Sequence, residues 1–120
     1  MSRKAKILVV DDSPTVRAGA TWVLQRAGYE VVVLDSPFAF SQVLNSEKPD
    51  LVLMDVSMPG LRGDKLVEIA QRYDAHRCPI VLFSSQPDEE LSALVRTLGI
   101  AGFIPKDLEL LISEVPKYLS

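Results

Sequence analysis

The sequence has one cysteine, Cys78, so a disulfide within the chain and a metal site built from several cysteines are both excluded. It has one histidine, His76, set in the polar stretch Asp74-Ala75-His76-Arg77, where a solvated side chain is the plain reading. Long apolar runs are missing: nothing approaches the roughly 18 residues of a membrane span. Positive charge is not in excess. A net charge of −3 and a pI near 5.1 argue against a dedicated nucleic-acid surface. No glycine-rich loop is present to cradle a nucleotide phosphate. The basic start Met1-Ser2-Arg3-Lys4-Ala5-Lys6 is followed by a short apolar stretch that ends in two acids, unlike a secretory signal. These absences, with the single thiol, lead to the expectation of a cytoplasmic protein that uses neither membrane nor nucleic acid.

What is present fits one globular domain spanning residues 1–120. Hydrophobic residues make 48% and charged residues 24% of the chain, an ordinary composition for a folded domain. Chains of this length bury roughly two thirds of their unfolded surface and need no staples.

The organising stretch is Leu51-Val52-Leu53-Met54-Asp55-Val56-Ser57-Met58-Pro59-Gly60. Four apolar residues run into a carboxylate, and a Pro-Gly pair follows. A short apolar run bounded by turn signals predicts a strand buried on both faces, as in parallel sheets covered by helices. Ligands of such sheets bind outside the carboxyl ends of the strands, where Asp55 would stand. A lone Asp there is most often a turn former or an N-cap, so the functional reading depends on the rest of the chain.

Ile7 to Val10 is a second apolar run, ended by Asp11-Asp12. Ser13 and Pro14 predict a helix start, with Val16, Ala20, Val23 and Ala27 on its inner face, Trp22 partly exposed and Gly28 as the stop. Tyr29 to Leu34 predicts a strand, and Asp35-Ser36-Pro37 another helix start, with Asp35 as a cap. Phe40, Val43 and Leu44 would face inward from that helix. Gly63-Asp64 opens a further helix with Leu66, Ile69, Ala70 and Tyr73 on one face. After Pro79, Ile80 to Phe83 predicts a strand ending at Ser84-Ser85. Pro87-Asp88-Glu89-Glu90 starts a helix with acids where the dipole favours them; Leu91, Leu94, Val95 and Leu98 form its inner face and Gly99 ends it. Ala101 to Ile104 predicts the last strand, before Pro105-Lys106. The final helix carries Leu108, Leu111, Ile112, Val115 and Leu119, and Pro116 should kink or end it near Val115. Alternation of strand and helix implies an α/β fold with a parallel sheet.

Parallel strands would bring Asp11, Asp12, Asp55, Ser84 and Lys106 to one sheet edge. Three carboxylates against one ammonium leave excess negative charge in a partly dry crevice, which a divalent cation relieves. Hard oxygen donors without histidine or cysteine favour Mg²⁺. A metal-bound Asp facing a Lys and a hydroxyl outlines a phosphoryl-transfer site. Asp55 would be the nucleophile and Lys106 would neutralise charge on the transferred group, with Ser84 bonding another of its oxygens. Each residue also has a bland reading: Asp11 as a turn acid, Ser84 as a helix cap, Phe103 as a core aromatic, Cys78 as packing.

The runs Ile7-Leu8-Val9-Val10-Asp11-Asp12-Ser13, Asp55-Val56-Ser57-Met58-Pro59-Gly60 with Gly63, Ser84-Ser85 and Phe103-Ile104-Pro105-Lys106, in this order and spacing, resemble the receiver domain of two-component response regulators. The likeness is to the single-domain, chemotaxis-regulator-like kind. It implies a doubly wound five-stranded parallel sheet in the flavodoxin-like order 2-1-3-4-5, with helices on both faces. It implies that Asp55 accepts a phosphoryl group from a histidine kinase or histidine phosphotransfer protein. It also implies that Asp12, Asp55 and the Ser57 carbonyl bind Mg²⁺ directly, with Asp11 acting largely through water. Ser84 and Phe103 would form a switch pair, and the face spanning 87–119 would signal to a downstream protein or pass the phosphoryl group on. Ser57 and Gln86 would flank the approach of water and tune phosphoryl lifetime. The chain would catalyse only its own phosphorylation and dephosphorylation. One departure stands out: family members usually carry a proline after the lysine, joined by a cis bond, whereas here Asp107 follows Lys106 and proline precedes it. That departure keeps a pseudo-receiver scaffold, working without phosphorylation, as the alternative. A small Mg²⁺-dependent phosphohydrolase is a lesser one, since no cap insertion or leaving-group acid is found.

Overall fold

The computed structural model describes residues 4–58, 68 and 78–119. The predicted helix after Gly63 lies outside these residues except at Glu68, which is helical; His76 also lies outside them. Five strands form one parallel sheet: β1 (Lys6–Val10), β2 (Glu30–Leu34), β3 (Leu51–Met54), β4 (Ile80–Ser84) and β5 (Gly102–Pro105). Their order is β2-β1-β3-β4-β5, the doubly wound flavodoxin-like order expected.

Alternation along the strands sorts the core onto two faces. One holds Leu8, Val10, Val52, Met54, Ile80 and Leu82, against α2 (Phe40–Glu47) and α3 (Asp88–Leu98). The other holds Ile7, Val9, Leu51, Leu53, Val81, Phe83 and Ile104, against α1 (Pro14–Arg26) and α4 (Leu108–Glu114). With both faces covered, β3 and β4 are buried throughout, and so an unbroken apolar run is what their sequences require.

The α1 start is as expected: Ser13 Oγ accepts from Val16 N and Pro14 occupies the first turn. Its inner stripe differs by a step. Ala20 and Leu24 are buried, Val16 and Val23 are half-buried, and Ala27 is exposed at the helix end. Trp22 is 62% exposed, with the Arg26 guanidinium 4.7 Å above its ring.

Asp35 does not cap α2. The segment 35–37 bends, and the helix begins at Phe40 with Ala39 in the cap position and no side-chain cap bond. Phe40 and Leu44 still face inward, as their spacing requires.

Pro116 ends α4 as predicted. A turn of 3₁₀-helix, Val115–Tyr118, follows. Leu111 and Val115 are buried, but Ile112 is 56% exposed. Ile112 follows Leu111 by one residue, a rotation of about 100°, which carries it to the edge of the buried stripe.

Candidate functional site

The parallel register carries the carboxyl ends of β1, β3, β4 and β5 to one edge, and the chemistry-bearing residues collect there. Asp55 follows β3 with its N–H donating to the Val10 carbonyl at 3.0 Å, beside Asp11 at the end of β1. Carboxylate oxygens of Asp11, Asp12 and Asp55 all lie within 4.8 Å of one another. Asp11 and Asp55 are buried and Asp12 is exposed, so the cluster has a dry floor and an open rim.

Asp11 and Asp55 are held alike. Asp11 Oδ1 accepts from Ser13 N at 2.9 Å, and Asp55 Oδ1 accepts from Ser57 N at 3.1 Å. Both bonds close local turns of the kind short acids favour. The turn-forming role foreseen as the bland alternative is therefore real, and it does not compete with the site. It fixes one oxygen and leaves Oδ2 free to face inward. Into that space comes Lys106, with Nζ 2.8 Å from Asp11 Oδ2 and 3.3 Å from Asp55 Oδ2.

Lys106 is placed by the sheet. Its N–H donates to the Ser84 carbonyl at 3.0 Å, one step beyond the last β4–β5 pair, Ser84 with Pro105. Burial is the largest single influence on its ammonium and would lower the pKa. Close contact with Asp11, the charges of Asp55 and Asp11 and contact with Asp55 together outweigh it, and the pKa is raised above the ordinary lysine value.

Ser84 is buried at the end of β4, and its hydroxyl accepts from Gln86 N at 3.3 Å. It does not cap α3, whose cap position is Pro87. Gln86 Nε2 donates across the mouth of the site to Ser57 Oγ at 3.4 Å. Phe103 pairs with Leu82 in the sheet and packs, half-buried, against the core on the α2–α3 side. Cys78 is buried in that same core. One residue was not foreseen from sequence: Arg17, whose Nη1 donates to the Asp11 carbonyl at 2.9 Å. Its position on the first turn of the helix after Asp11 was the available signal.

A metal ion fits this donor set. Three carboxylates and one ammonium leave a formal excess of negative charge. Among the described residues Asp11 Oδ2 is buried without a hydrogen-bond donor and has the Lys106 ammonium beside it at 2.8 Å. Hard, closely spaced oxygens with an unsatisfied acceptor suit a small divalent cation that keeps some of its water.

The family model for the response regulator receiver domain matches residues 7–114. Among curated relatives, the CAI-1 autoinducer sensor kinase/phosphatase CqsS of Vibrio cholerae is 32% identical over 119 residues, 95% of this chain and 17% of that protein. Protein PilH of Pseudomonas aeruginosa is 29% identical over 88% of each chain. The transcriptional regulatory protein FixJ of Bradyrhizobium diazoefficiens is 32% identical over 91% of this chain and 53% of its own length. The match thus spans less than two thirds of CqsS and FixJ but most of PilH. Among solved structures, the chemotaxis response regulator CheY4 of Vibrio cholerae aligns with a TM-score of 0.83 at 25% identity, covering 97% of this chain and 99% of that one.

Proposed function

This chain belongs to the response regulator receiver domains of two-component systems, and from that premise we propose that it is a phosphorylation-controlled switch with Asp55 as phosphoacceptor. The observation that carries the reading is the placement of Lys106 between Asp11 and Asp55, at the rim of three carboxylates. The chemistry follows from the free oxygen of Asp55. A carboxylate oxygen is itself a nucleophile and needs no separate base to activate it. Oδ2 attacks the phosphorus of a phosphohistidine on a partner kinase or phosphotransfer protein. An O–P bond forms, the N–P bond breaks, and the imidazole nitrogen leaves with the electron pair.

Lys106 stands beside that oxygen, so its charge meets the equatorial oxygens of the transferred group. Asp11, Asp12, Asp55 and the Ser57 carbonyl would hold Mg²⁺. The ion, when bound, supplies charge neutralisation on those same oxygens. The Ser84 hydroxyl is close at hand, since its own carbonyl anchors Lys106. In this reading it leaves Gln86 N for a phosphoryl oxygen, Phe103 follows into the vacated space, and the change spreads over the face spanning 87–119. The equilibrium between two conformations shifts and a downstream protein reads it, or the phosphoryl group is passed on. Ser57 and Gln86 flank the route of an attacking water and set the lifetime of the acyl phosphate. We place this switch in the cytoplasm; among the described residues no helix is long and apolar enough to cross a membrane.

The test is intact-protein mass after incubation with acetyl phosphate or phosphoramidate, with and without Mg²⁺, beside Asp55→Asn. One added phosphoryl mass that requires both Asp55 and Mg²⁺ is expected. Folded protein that gains no mass, even with rapid quenching, would turn the reading to the pseudo-receiver scaffold.

A further inference from the structure

Between β5 and α4 the chain does something its sequence left open. Asp107 N donates to the Pro105 carbonyl at 2.7 Å, closing a three-residue turn with Lys106 at its centre. The Asp107 backbone is extended, at φ −137° and ψ 117°, and its Oδ1 accepts from Glu109 N at 3.0 Å, capping α4. No cis peptide bond occurs among the described residues. A proline at position 107 could form none of this: it has no N–H to close the turn and no carboxylate to cap, and its φ is held near −65°.

The start of α4 is fixed from its other side as well. The Leu108 side chain occupies the space beside Gly19 of α1, where a Cβ would lie 2.6 Å from Leu108 Cδ1. Two residues before Gly19, α1 returns through Arg17 to the Asp11 carbonyl. The path Lys106, Asp107, Leu108, Gly19, Arg17, Asp11 is therefore a closed loop, with the Lys106–Asp11 ion pair as its last link.

We propose that Asp107 is the positioning residue for Lys106: its N–H and its carboxylate together set the ammonium between Asp11 and Asp55. The catalytic part of this proposal rests on the reading of Asp55 as phosphoacceptor; the positioning part rests on the turn alone. Asp107 is exposed and touches no reacting atom, so it acts only through where Lys106 stands.

The experiment reads position and chemistry separately, on Asp107→Pro, Asp107→Ala and Asp107→Asn. Position is read by acylation of lysine amines with a succinimidyl ester, located by peptide mass. The internal reference is Lys6, similarly shielded at 22% side-chain exposure and paired with Glu30 and Glu47 at the far end of β1. Chemistry is read as the rate of adduct formation at saturating acetyl phosphate and Mg²⁺. In wild-type protein Lys106, at 18% exposure and paired, should label slowly. Asp107→Pro should speed labelling at Lys106 and not at Lys6, and should slow adduct formation about a hundred-fold, as a misplacement of about 1 Å does. Asp107→Ala keeps the turn and loses the cap, and should fall between. Asp107→Asn keeps both and should match wild type. Asp107→Pro that labels and phosphorylates like wild type overturns the proposal, and so does faster labelling at Lys6 and Lys106 together, which marks general loosening. If wild-type protein forms no adduct, the reading of Asp55 falls while the labelling pattern still decides the role of Asp107.

Discussion

Two of the helices that follow site residues, α1 and α3, are attached very differently. α1 begins with a side-chain cap and a proline in its first turn, buries Ala20 and Leu24, and lies against α4. α3 begins at Pro87 with no side-chain cap bond and buries Leu91 alone, with Leu94, Val95 and Leu98 only partly covered. Both follow strands that end in site residues. The α1–α4 face is a frame that holds Asp11 and Lys106, whereas among the described residues α3 buries one side chain fully and packs three more in part. Local opening starts where few apolar contacts are made, so in the switch proposed above a change at Ser84 would meet less resistance toward α3 than toward α1.

The strongest way to break this contrast is to cut one anchor on each side. Leu24→Ala should lower global stability by about 3 kcal/mol, the usual cost of a cavity at a fully buried leucine. Leu91→Ala removes a leucine just as buried. Its main effect should be faster amide exchange confined to residues 88–98, with a smaller fall in the urea midpoint. Equal global losses, with no exchange change localised to α3, would mean that both helices belong to one cooperative frame.

Next in size is the effect of Mg²⁺. At a hundred times its dissociation constant, a ligand of the native state alone stabilises by about 2.7 kcal/mol. Because the carboxylates sit at the ends of β1 and β3, Mg²⁺ should protect amides around residues 11–17 and 55–57 and leave those of α3 unchanged. Asp12→Asn, at the exposed rim, should weaken that gain without loss of basal stability. Protection that spreads evenly over α3 would erase the distinction between the frame and α3.

A third probe tests how tightly the frame is closed. The Tyr118 hydroxyl fills the place a Cβ would take on Gly102, with Cε1 and Cζ at 2.9 Å from it. Gly102→Ala must displace the whole ring, and overpacking of this kind costs about 1–3 kcal/mol. Thermal unfolding should show the loss. An unchanged midpoint would mean that the 3₁₀ turn yields easily, and that this face is less rigid than α1 suggests.

Much of this architecture was legible because the sheet leaves little choice. Leu51–Met54 and Ile80–Phe83 are buried on both sides, so their runs are unbroken and their ends are marked by polar residues. Asp11, Asp55, Ser84 and Lys106 were legible for that reason: each is the first polar residue after a run. What failed was local and weakly constrained. Asp35-Ser36-Pro37 has the composition of a helix start, but the chain spends two more residues turning before Phe40 reaches the core. Ile112 fits the apolar spacing of α4, but it stands at the edge of the stripe beside Leu111 and stays 56% exposed. Arg17 escaped notice because its target is a backbone carbonyl, and carbonyls carry no mark in a sequence.

The smallest expected effect concerns the ion pair that joins the two ends of the frame. The Lys106 pKa is raised in the folded protein, so the folded state holds that proton more tightly than the unfolded one. Its contribution is complete below the ordinary lysine pKa of about 10.4 and is lost as pH rises through the higher folded value. Wild-type stability should therefore fall in that alkaline window. Lys106→Met, less stable at neutral pH because buried Asp11 and Asp55 lose the ammonium they share, should lack that component. The difference between the two proteins should narrow as pH climbs, since every other group is common to both. Urea unfolding at a series of pH values measures it. Curves that stay parallel through the window would mean that Lys106 merely rests near Asp11 and Asp55, and that the frame is held by Leu108 and Arg17 without it.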